Sequence, residues 1–426
     1  MNSKEELTMN KKIVAAVLAC MMVLAACAAL AETLTVSAWD PNFNIPALEA
    51  AAADYKATHP DFELVINTVS GSSDVENAMT AAGSSGDYST LSDIVLFQDH
   101  YIQRYVADYP DAWQSLEGAE VNWDDFGAEK LSYSTIDGVH YGMPVDNGTA
   151  IFAYRTDILE QCGYTLADVT GITWDRFIEI GEDVWAKTGK YLLSMDGSGN
   201  DLPYMMLQAE GLSQFKDGAP YIAENEAMVQ IITKLVEMVQ KNILFLSNDW
   251  TGYTDGSIIG DQVAGVMNGN WIIPTISQVA ENSGKWAITT IPTLTGEQGY
   301  AANGGSSLYI TANCKNPDLA KDFLAKTFGG STATYDDALR NGGVITCCIS
   351  AGQSDVYKEG VPFFNGQPIY ADIVEMGSHV KIVEQNDYHY TCRQYIGSAI
   401  QEILMGSDVM TALQNAESQL RFAMDL

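Results

Sequence analysis

Aromatic, polar and small residues follow three predicted strands of this sequence at the point where each strand ends. The pairs are Trp39-Asp40, Ser70-Gly71 and Gln98-Asp99. An indole offers a flat apolar surface, and carboxylate and amide groups offer planar acceptors and donors. That combination suits a polyhydroxylated ring, because C–H faces rest on the indole while hydroxyls bind the polar groups. The same groups could serve a glycan-hydrolysing enzyme, which needs two carboxyl groups at a set separation.

The elements that position these pairs have a strand, helix, strand pattern. Residues 34–38 alternate as a strand, Pro46 opens a helix that Pro60 ends, and residues 62–69 form the next strand. A helix near 74–82 leads to a buried strand at 93–97. Such crossovers join parallel strands through a right-handed connection. Ligands of open parallel sheets bind beyond the carboxyl ends of the strands. The three pairs are therefore expected along one edge.

Residues 137–155 predict a passage between two parts of the fold. Asp137-Gly138 is a turn pair, and Pro144 keeps the chain extended before the polar triplet Asp146-Asn147-Gly148. The apolar run 150–154 is typical of a strand buried on both faces. The triplet is either a hinge between two lobes or a simple hairpin turn.

The rest of the chain predicts further helices and strands that return to both parts. Asp157-x-x-Glu160 has the form of a capping box, and Thr173 and Asn316 are placed to cap helices. Trp271 follows a tight Asn268-Gly-Asn turn, a place where an aromatic ring is commonly exposed at a cleft. The predicted helices span residues 157–163, 174–187, 224–241, 317–328, 398–405 and 408–420, and the strands span 262–267, 286–291 and 307–312.

Composition excludes several classes of function. The 426 residues are 47% hydrophobic, which fits a packed protein of two or more domains. The net charge of −33 makes nucleic acid and anionic lipid surfaces poor partners. Without a nucleophile elbow, Walker loop, HExxH or GxGxxG motif, no enzyme class other than a glycosidase and no cofactor is indicated.

The cysteines predict neither a metal site nor a disulfide framework. After the amino-terminal segment they are Cys162, Cys314, Cys347, Cys348 and Cys392, an odd set without C-x-x-C spacing. Most are expected to be small core residues, although the adjacent Cys347 and Cys348 could form a strained pair.

The amino terminus has the pattern of an export signal. Lys11 and Lys12 precede an apolar run over 13–24 that is short for a membrane span. Two cleavage sites remain open: a lipobox at 24–27, which would remove residues 1–26 and leave Cys27 acylated, or an A-x-A site that would remove residues 1–31. Either one places the mature protein outside the cytoplasm, attached to the membrane in the first case.

Seven segments resemble the extracellular solute-binding protein family 1, the maltose-binding-protein-like binding components of carbohydrate ABC importers, and occur in that family's order. They are YKATHPDFELV, SDIVLFQDHYIQRY, YGMPVDNGTAIFAYRTDILEQCGY, TWDRFIEIGEDVWAKTG, VAGVMNGNWIIPTI, ITTIPTLTGEQGYAANGGSSLYITANCKNPDLAKDFL and GSDVMTALQNAESQL. The segment DLPY departs from maltose-type relatives that place an acidic residue directly before the proline.

The resemblance implies a two-lobed periplasmic-binding-protein-like α/β fold, in which each lobe is a β-sheet flanked by helices and the chain crosses at a hinge. The expected first lobe is 32–146 plus about 302–345, and the second is 147–301 plus about 346–426. It implies a monomer without enzymatic activity that closes over a sugar, expected to be an oligosaccharide, and docks on a membrane permease. A glycan-degrading enzyme and a binder of a non-sugar solute are the alternatives.

The resemblance also implies a set of ligand contacts. By position they are Trp39, Asp40, Gln98, Asp99, Asp146, Asn147, Tyr204, Trp271, Gly304 and Gly305. Trp250 and Arg393 join the set on expected exposure and chain position. Competing structural roles are helix capping for Asp99, an ion pair for Arg393 and backbone geometry for the two glycines.

Overall fold

The fold was analysed in a computed structural model that describes residues 32–41, 43–197 and 201–426. The strands are β1 Glu32–Ala38, β2 Phe62–Thr68, β3 Ile94–Gln98, β4 Trp113–Gln114, β5 Thr135–Ile136, β6 Val139–His140, β7 Gly142–Asp146, β8 Ala150–Arg155, β9 Leu193–Asp196, β10 Phe215–Lys216, β11 Ala219–Pro220, β12 Leu244–Ser247, β13 Gly265–Gly269, β14 Trp286–Thr289 and β15 Ser306–Thr311.

The α-helices alternate irregularly with these strands along the chain. They are α1 Asn44–Lys56, α2 Ser72–Ser85, α3 Asp99–Asp108, α4 Ala128–Ser134, α5 Thr156–Cys162, α6 Trp174–Thr188, α7 Asp201–Ala209, α8 Glu226–Gln240, α9 Ile273–Ile276, α10 Pro317–Lys326, α11 Thr332–Gly342, α12 Ile369–Ser378, α13 His389–Leu404 and α14 Val409–Ala423. A π-helix spans Gly252–Ile259.

The first lobe is the six-stranded sheet and the helices on its faces. Its order is β2-β1-β3-β15-β4, with β7 also paired to β15. Strands β1, β2 and β3 are parallel, as the crossover pattern predicts, whereas β15 runs antiparallel to β3. Alternate residues of the strands pack in apolar clusters on opposite faces, one with α1, α10 and α11 and the other with α2 and α3.

The second lobe is built on the antiparallel sheet β13-β8-β14. Strand β8 is buried along its whole length because its side chains pack alternately into two clusters. Phe152 and Tyr154 meet helices α6, α7, α8, α13 and α14, and Ile151 and Ala153 face the cluster that includes α12. The α/β class with interleaved crossings is confirmed.

The chain crosses between the lobes at Asn147-Gly148-Thr149. Strand β7 belongs to the first sheet and β8 to the second, and the two are not paired, so the interpretation of Asp146-Asn147-Gly148 as a hairpin turn is wrong. A second crossing runs alongside, because Thr149 bridges Ala302 just before β15. The hairpin turn lies earlier, at Asp137-Gly138, where both φ values are positive and β5 pairs with β6.

Two of the helix caps that the sequence predicts are present in the structure, and one is not. Thr173 and Asn316 accept hydrogen bonds from backbone N–H groups as expected. The predicted capping box at Asp157-x-x-Glu160 is wrong, because Asp157 instead accepts two hydrogen bonds from Arg155, each of 2.8 Å. A capping box is present nearby, from Thr165 to Asp168.

Two other sequence expectations concern cysteines and membrane segments. All five cysteines of the described ranges are free and buried. In those ranges, no helix is both long enough and apolar enough to cross a bilayer. The predicted export signal and Cys27 lie outside the described residues.

Candidate functional site

A cavity of about 580 Å³ lies between the two lobes. It is bounded by the carboxyl ends of β1 and β3, whereas Ser70 and Gly71 follow the edge strand β2 and do not line it. The lining residues are Trp39, Asp40, Phe43, Asn44, Gln98, Asp146, Asp201, Trp250, Trp271, Pro274, Thr275, Asn303, Gly304, Gly305, Ser306, Gly342, Tyr390 and Arg393.

The first-lobe wall is shaped by the turn that follows β1. Asp40 has a φ of 61°, and its carbonyl accepts hydrogen bonds from the N–H groups of Phe43 and Ile45, 3.3 and 3.2 Å away. The left-handed conformation costs most L-residues about 1–2 kcal/mol, and Asp is among the few that adopt it singly. The turn thus opens helix α1 while Trp39 and the exposed Asp40 line the cavity.

The second-lobe wall carries two indole rings. The ring centroids of Trp250 and Trp271 are 5.7 Å apart, and their planes are inclined by 41°. The Nε1–H of Trp271 donates to the carbonyl of Asn303 at 2.8 Å, which fixes the ring, while Trp250 is 43% exposed. Together with Trp39, these rings supply apolar surfaces on both sides of the cavity.

The segment before β15 forms the floor and requires glycine at two positions. Gly304 and Gly305 have φ values of 86° and 95°, in the left-handed region. A Cβ on Gly305 would lie 2.4 Å from Oδ2 of Asp99, and one on Gly304 would lie 3.1 Å from Nε1 of Trp271. The backbone here therefore packs directly against groups from both lobes.

Arg393 of α13 reaches the cavity from the second lobe, although only 3% of its surface is exposed. It forms an ion pair with Asp201, and its Nη1 lies 3.1 Å from Oδ1 of Asn303. The guanidinium also lies over the rings of Tyr204 and Tyr390, at 5.6 and 5.0 Å. Burial lowers the pKa of Arg393 to about 10, so the group is charged at neutral pH.

Four side chains close a polar ring at this end of the cavity: Asp201, Asn268, Asn303 and Arg393. Asn303 donates to Oδ1 of Asn268 at 2.7 Å, and Asn268 donates to Oδ2 of Asp201 at 3.3 Å. The Arg393–Asp201 ion pair and the Arg393–Asn303 hydrogen bond close the ring, so each side chain is held in place by its two neighbours. The polar ring thus holds Arg393 in one orientation.

Nine of the twelve expected ligand contacts line the cavity. They are Trp39, Asp40, Gln98, Asp146, Trp250, Trp271, Gly304, Gly305 and Arg393. The structure does not bring Asp99, Asn147 and Tyr204 to it. Asn147 lines a separate cavity of only about 10 Å³ at the crossing between the lobes.

Asp99 lies beneath the cavity floor in a fully buried ion pair. Its Oδ2 is 2.5 Å from Nζ of Lys130, which also donates to the carbonyl of Ser306 at 2.8 Å. Ser307 donates to the other carboxylate oxygen at 3.0 Å. Burial raises the pKa of Asp99 to about 6, although Lys130 lowers it. The pair supports the floor instead of offering a ligand contact.

Tyr204 is turned away from the cavity into a buried contact between the lobes. Its hydroxyl lies 3.1 Å from Nε2 of His100, which is also 3.1 Å from the hydroxyl of Tyr133. The rings of His100 and His389 face each other across the interface with centroids 4.3 Å apart. These four residues, named the interlobe cluster below, join helices α3 and α4 to α7 and α13.

Sequence reasoning missed nine lining residues: Phe43, Asn44, Asp201, Pro274, Thr275, Asn303, Ser306, Gly342 and Tyr390. Asn303 and Ser306 flank the glycine pair, and Asp201 opens the DLPY segment, so their positions next to expected contacts were an available signal. Five others lie within four residues of an expected contact, whereas Gly342 reaches the cavity only through tertiary packing; the five are Phe43, Asn44, Pro274, Thr275 and Tyr390.

The described ranges contain no group of three or more histidine, cysteine or acidic side chains placed to hold a metal ion. What the cavity offers is aromatic surface together with carboxylate, amide and guanidinium groups. These groups suit the C–H faces and hydroxyls of a polyol.

Comparison with protein families and with curated proteins shows what the chain is similar to. Residues 50–365 match the family model described as bacterial extracellular solute-binding protein. The chain is 32% identical over 415 residues to a lactose-binding protein of Rhizobium radiobacter, covering 96% of this chain and 97% of the relative.

Solved structures show the same fold at lower identity. The galacto-N-biose-/lacto-N-biose I-binding protein of Bifidobacterium longum matches with a TM-score of 0.72 at 18% identity, covering 92% of this chain and 98% of that chain. The sugar-binding protein MalE of Xanthomonas citri matches with a TM-score of 0.75 at 15% identity, covering 91% and 96%.

Proposed function

This chain belongs to the bacterial extracellular solute-binding protein family, and from that premise we propose that it is the sugar-binding component of an ABC importer. It captures a saccharide, an oligosaccharide in the simplest case, between its lobes and delivers it to the membrane permease. The family implies a location outside the cytoplasm.

The observation that carries this proposal is the pairing of aromatic and polar groups from both lobes around one cavity. Trp39 faces it from the first lobe and Trp271 from the second, with Asp40 and Gln98 at the strand ends. Aromatic faces bind the apolar sides of a pyranose, while planar polar groups bind its hydroxyls. A sugar that lacks one of these hydroxyls leaves its polar partner in the protein without a hydrogen bond, which costs about 1–3 kcal/mol.

The ligand contacts in this proposal are the nine expected residues that line the cavity, joined by Asp201, Asn303 and Tyr390. The lobes are residues 32–146 plus about 302–345 and residues 147–301 plus about 346–426. A saccharide that touches both lobes favours the closed form through its difference in affinity for the two states. The closed form is then what the permease recognises.

A thermal-shift screen of the exported chain tests the proposal. Lactose, β-1,6-galactobiose, maltose and an arabino-oligosaccharide are compared with a polyamine and a peptide, because a ligand of the folded state raises the melting temperature. We expect a rise with one saccharide series and recovery of that saccharide unchanged. A rise only with the polyamine or peptide would contradict sugar binding, and cleavage of the saccharide would indicate an enzyme.

We further propose that the chain is exported by its amino-terminal segment and acts as a monomer. The two cleavage sites make different products, one beginning with acylated Cys27 and the other with Glu32. Mass spectrometry of the mature protein separates them, because lipid chains on Cys27 add mass that cleavage before Glu32 would remove.

A further inference from the structure

Arg393 is the one cationic side chain among the described residues that line the cavity, and both of its terminal nitrogens already have partners. Nη2 forms the ion pair with Asp201, while Nη1 lies 3.1 Å from Asn303 and 3.3 Å from Nε2 of His389. The remaining Nε–H is buried and has no hydrogen-bond partner. Arg393 therefore has no exposed face ready to receive an anion.

The other charges at the cavity are negative. Asp40, Asp146 and Asp201 line it together with Arg393, which gives three carboxylates against one guanidinium. Lys130, the nearby second cation, is fully buried below the floor and is bound to Asp99 and to the carbonyl of Ser306. An anionic ligand would therefore meet carboxylates and no unpaired cation.

We propose that Asp201 determines the charge class of the ligand by holding Arg393 in the ion pair. The cavity then accepts uncharged saccharides and excludes uronic acids, sugar phosphates and other anionic sugars. This inference rests on the proposed saccharide-binding function and specifies its ligand class. Arginine is the side chain best suited to bind a carboxylate through two parallel hydrogen bonds, so its release would weaken this selection.

The substitution Asp201→Asn separates the charge of Asp201 from its place in the polar ring. The amide keeps an oxygen that can accept from Asn268, but it no longer neutralises the guanidinium. Arg393 becomes available to an anionic sugar in the cavity. The matched control is Asp40→Asn, which removes another lining carboxylate without touching Arg393, and asparagine tolerates the left-handed backbone of this position.

The test compares lactose with a lactose analogue that carries a carboxylate at C6 of the galactose, and adds galacturonate as a simple anionic probe. Affinities are measured by calorimetric titration for the wild type, Asp201→Asn and Asp40→Asn, and melting temperatures verify folding. We expect the wild type to prefer lactose by about tenfold or more, because an anionic sugar would be brought beside carboxylates of the same charge. Asp201→Asn should reduce this preference about tenfold, clearly more than Asp40→Asn.

Three results would overturn the inference: equal wild-type affinity for lactose and its acidic analogue, equal effects of the two substitutions, or wild-type binding of galacturonate. If no neutral saccharide binds the wild type, the proposed function fails, whereas new galacturonate binding by Asp201→Asn would still support the pairing of Asp201 with Arg393. Should Asp201→Asn not fold, equal wild-type affinity for lactose and its acidic analogue would still overturn the inference.

Discussion

At the scale of residues, the cavity depends on side chains that other side chains hold in place. Trp271 is oriented by the carbonyl of Asn303, and the side chain of Asn303 is in turn bound to Arg393 and Asn268. Such support reduces the entropy lost when a ligand binds. We therefore expect substitution of a binding residue to lower the affinity, and substitution of a residue behind the cavity wall to lower the stability.

Trp271→Ala should weaken saccharide binding about tenfold or more, since tenfold corresponds to about 1.4 kcal/mol and an aromatic face at a binding site carries a large share of the contact. The melting temperature should change little, because Trp271 is only partly buried. Calorimetric titration measures the affinity. The control is Trp123→Ala, which removes an indole stacked on His140 away from the cavity. Unchanged affinity in Trp271→Ala would remove this ring from the site.

Lys130→Met should destabilise the protein by about 3–5 kcal/mol, because it leaves the buried Asp99 carboxylate without its partner. Chemical denaturation measures the free energy of unfolding. The control Lys234→Met breaks an ion pair with Asp175, which is 74% exposed, and should cost less than about 1 kcal/mol. Similar losses in the two variants would show that burial of the Lys130 pair has no special weight.

At the scale of elements, the site is assembled where the two crossings run side by side. The backbone of Gly305 approaches Asp99, Asp146 and Gly148, and thus joins the end of β7, the first residue of α3 and the entry to β15. No side chain fits there. The close approach of Gly305 to the first crossing therefore fixes the position of the cavity floor relative to the ends of β7 and β3.

Gly305→Ala should destabilise the protein far more than Gly86→Ala. Both positions have positive φ values, 95° and 68°, so alanine carries a backbone cost in each. Only at Gly305 does the new Cβ meet other atoms, with Oδ2 of Asp99 at 2.4 Å, whereas nothing lies within 4 Å at Gly86. Thermal unfolding of the two variants gives the comparison, and equal losses would contradict the close approach.

The sequence predicts elements whose signals are local. Two apolar runs on either side of a helix bounded by Pro46 and Pro60 give β1 and β2, and the carboxyl ends of β1 and β3 place Trp39 and Gln98 at the cavity. It does not predict contacts made by distant segments. Tyr204 could not be assigned to His100, or Arg393 to Asp201, because those pairs form only when the lobes and helices are packed.

At the scale of the whole molecule, the lobes meet both through the ligand cavity and through the interlobe cluster. His389 must accept a hydrogen bond at Nε2, because Arg393 can only donate and lies 3.3 Å away. Protonation would replace this acceptor with a second cation beside the guanidinium. The contact between His100 and His389 is therefore compatible with neutral imidazoles.

Acidification should weaken closure through these histidines. The ordinary pKa of a histidine is near 6.5, and burial lowers the pKa of His389 to about 3. The pKa of His100 is also lowered, mainly by burial and to a smaller extent by charge repulsion from His389 and Arg393. Their contribution is complete above about pH 6.5 and decreases as pH falls towards 3. Glu129, hydrogen-bonded to Tyr133, has a pKa raised by burial to about 7, so its protonation favours the closed form and opposes the histidines.

Comparison with His389→Gln isolates the histidine contribution. The ratio of variant to wild-type saccharide affinity should increase as pH falls, by up to about tenfold per unit below about 6.5. Titrations from pH 7.5 to 5 measure it, and His379→Gln, on the exposed surface, is the control. A ratio that stays constant over this range would show that His389 does not titrate with opening.

The most direct test of a sugar site between the lobes is a calorimetric titration of the mature protein with the saccharide that gives the largest thermal shift, followed by chemical analysis of the recovered ligand. We expect one saccharide bound per chain, weakened binding in Trp271→Ala and full recovery of the intact sugar. Absence of binding by any saccharide, or binding that Trp271→Ala leaves untouched, would contradict a sugar site between the lobes.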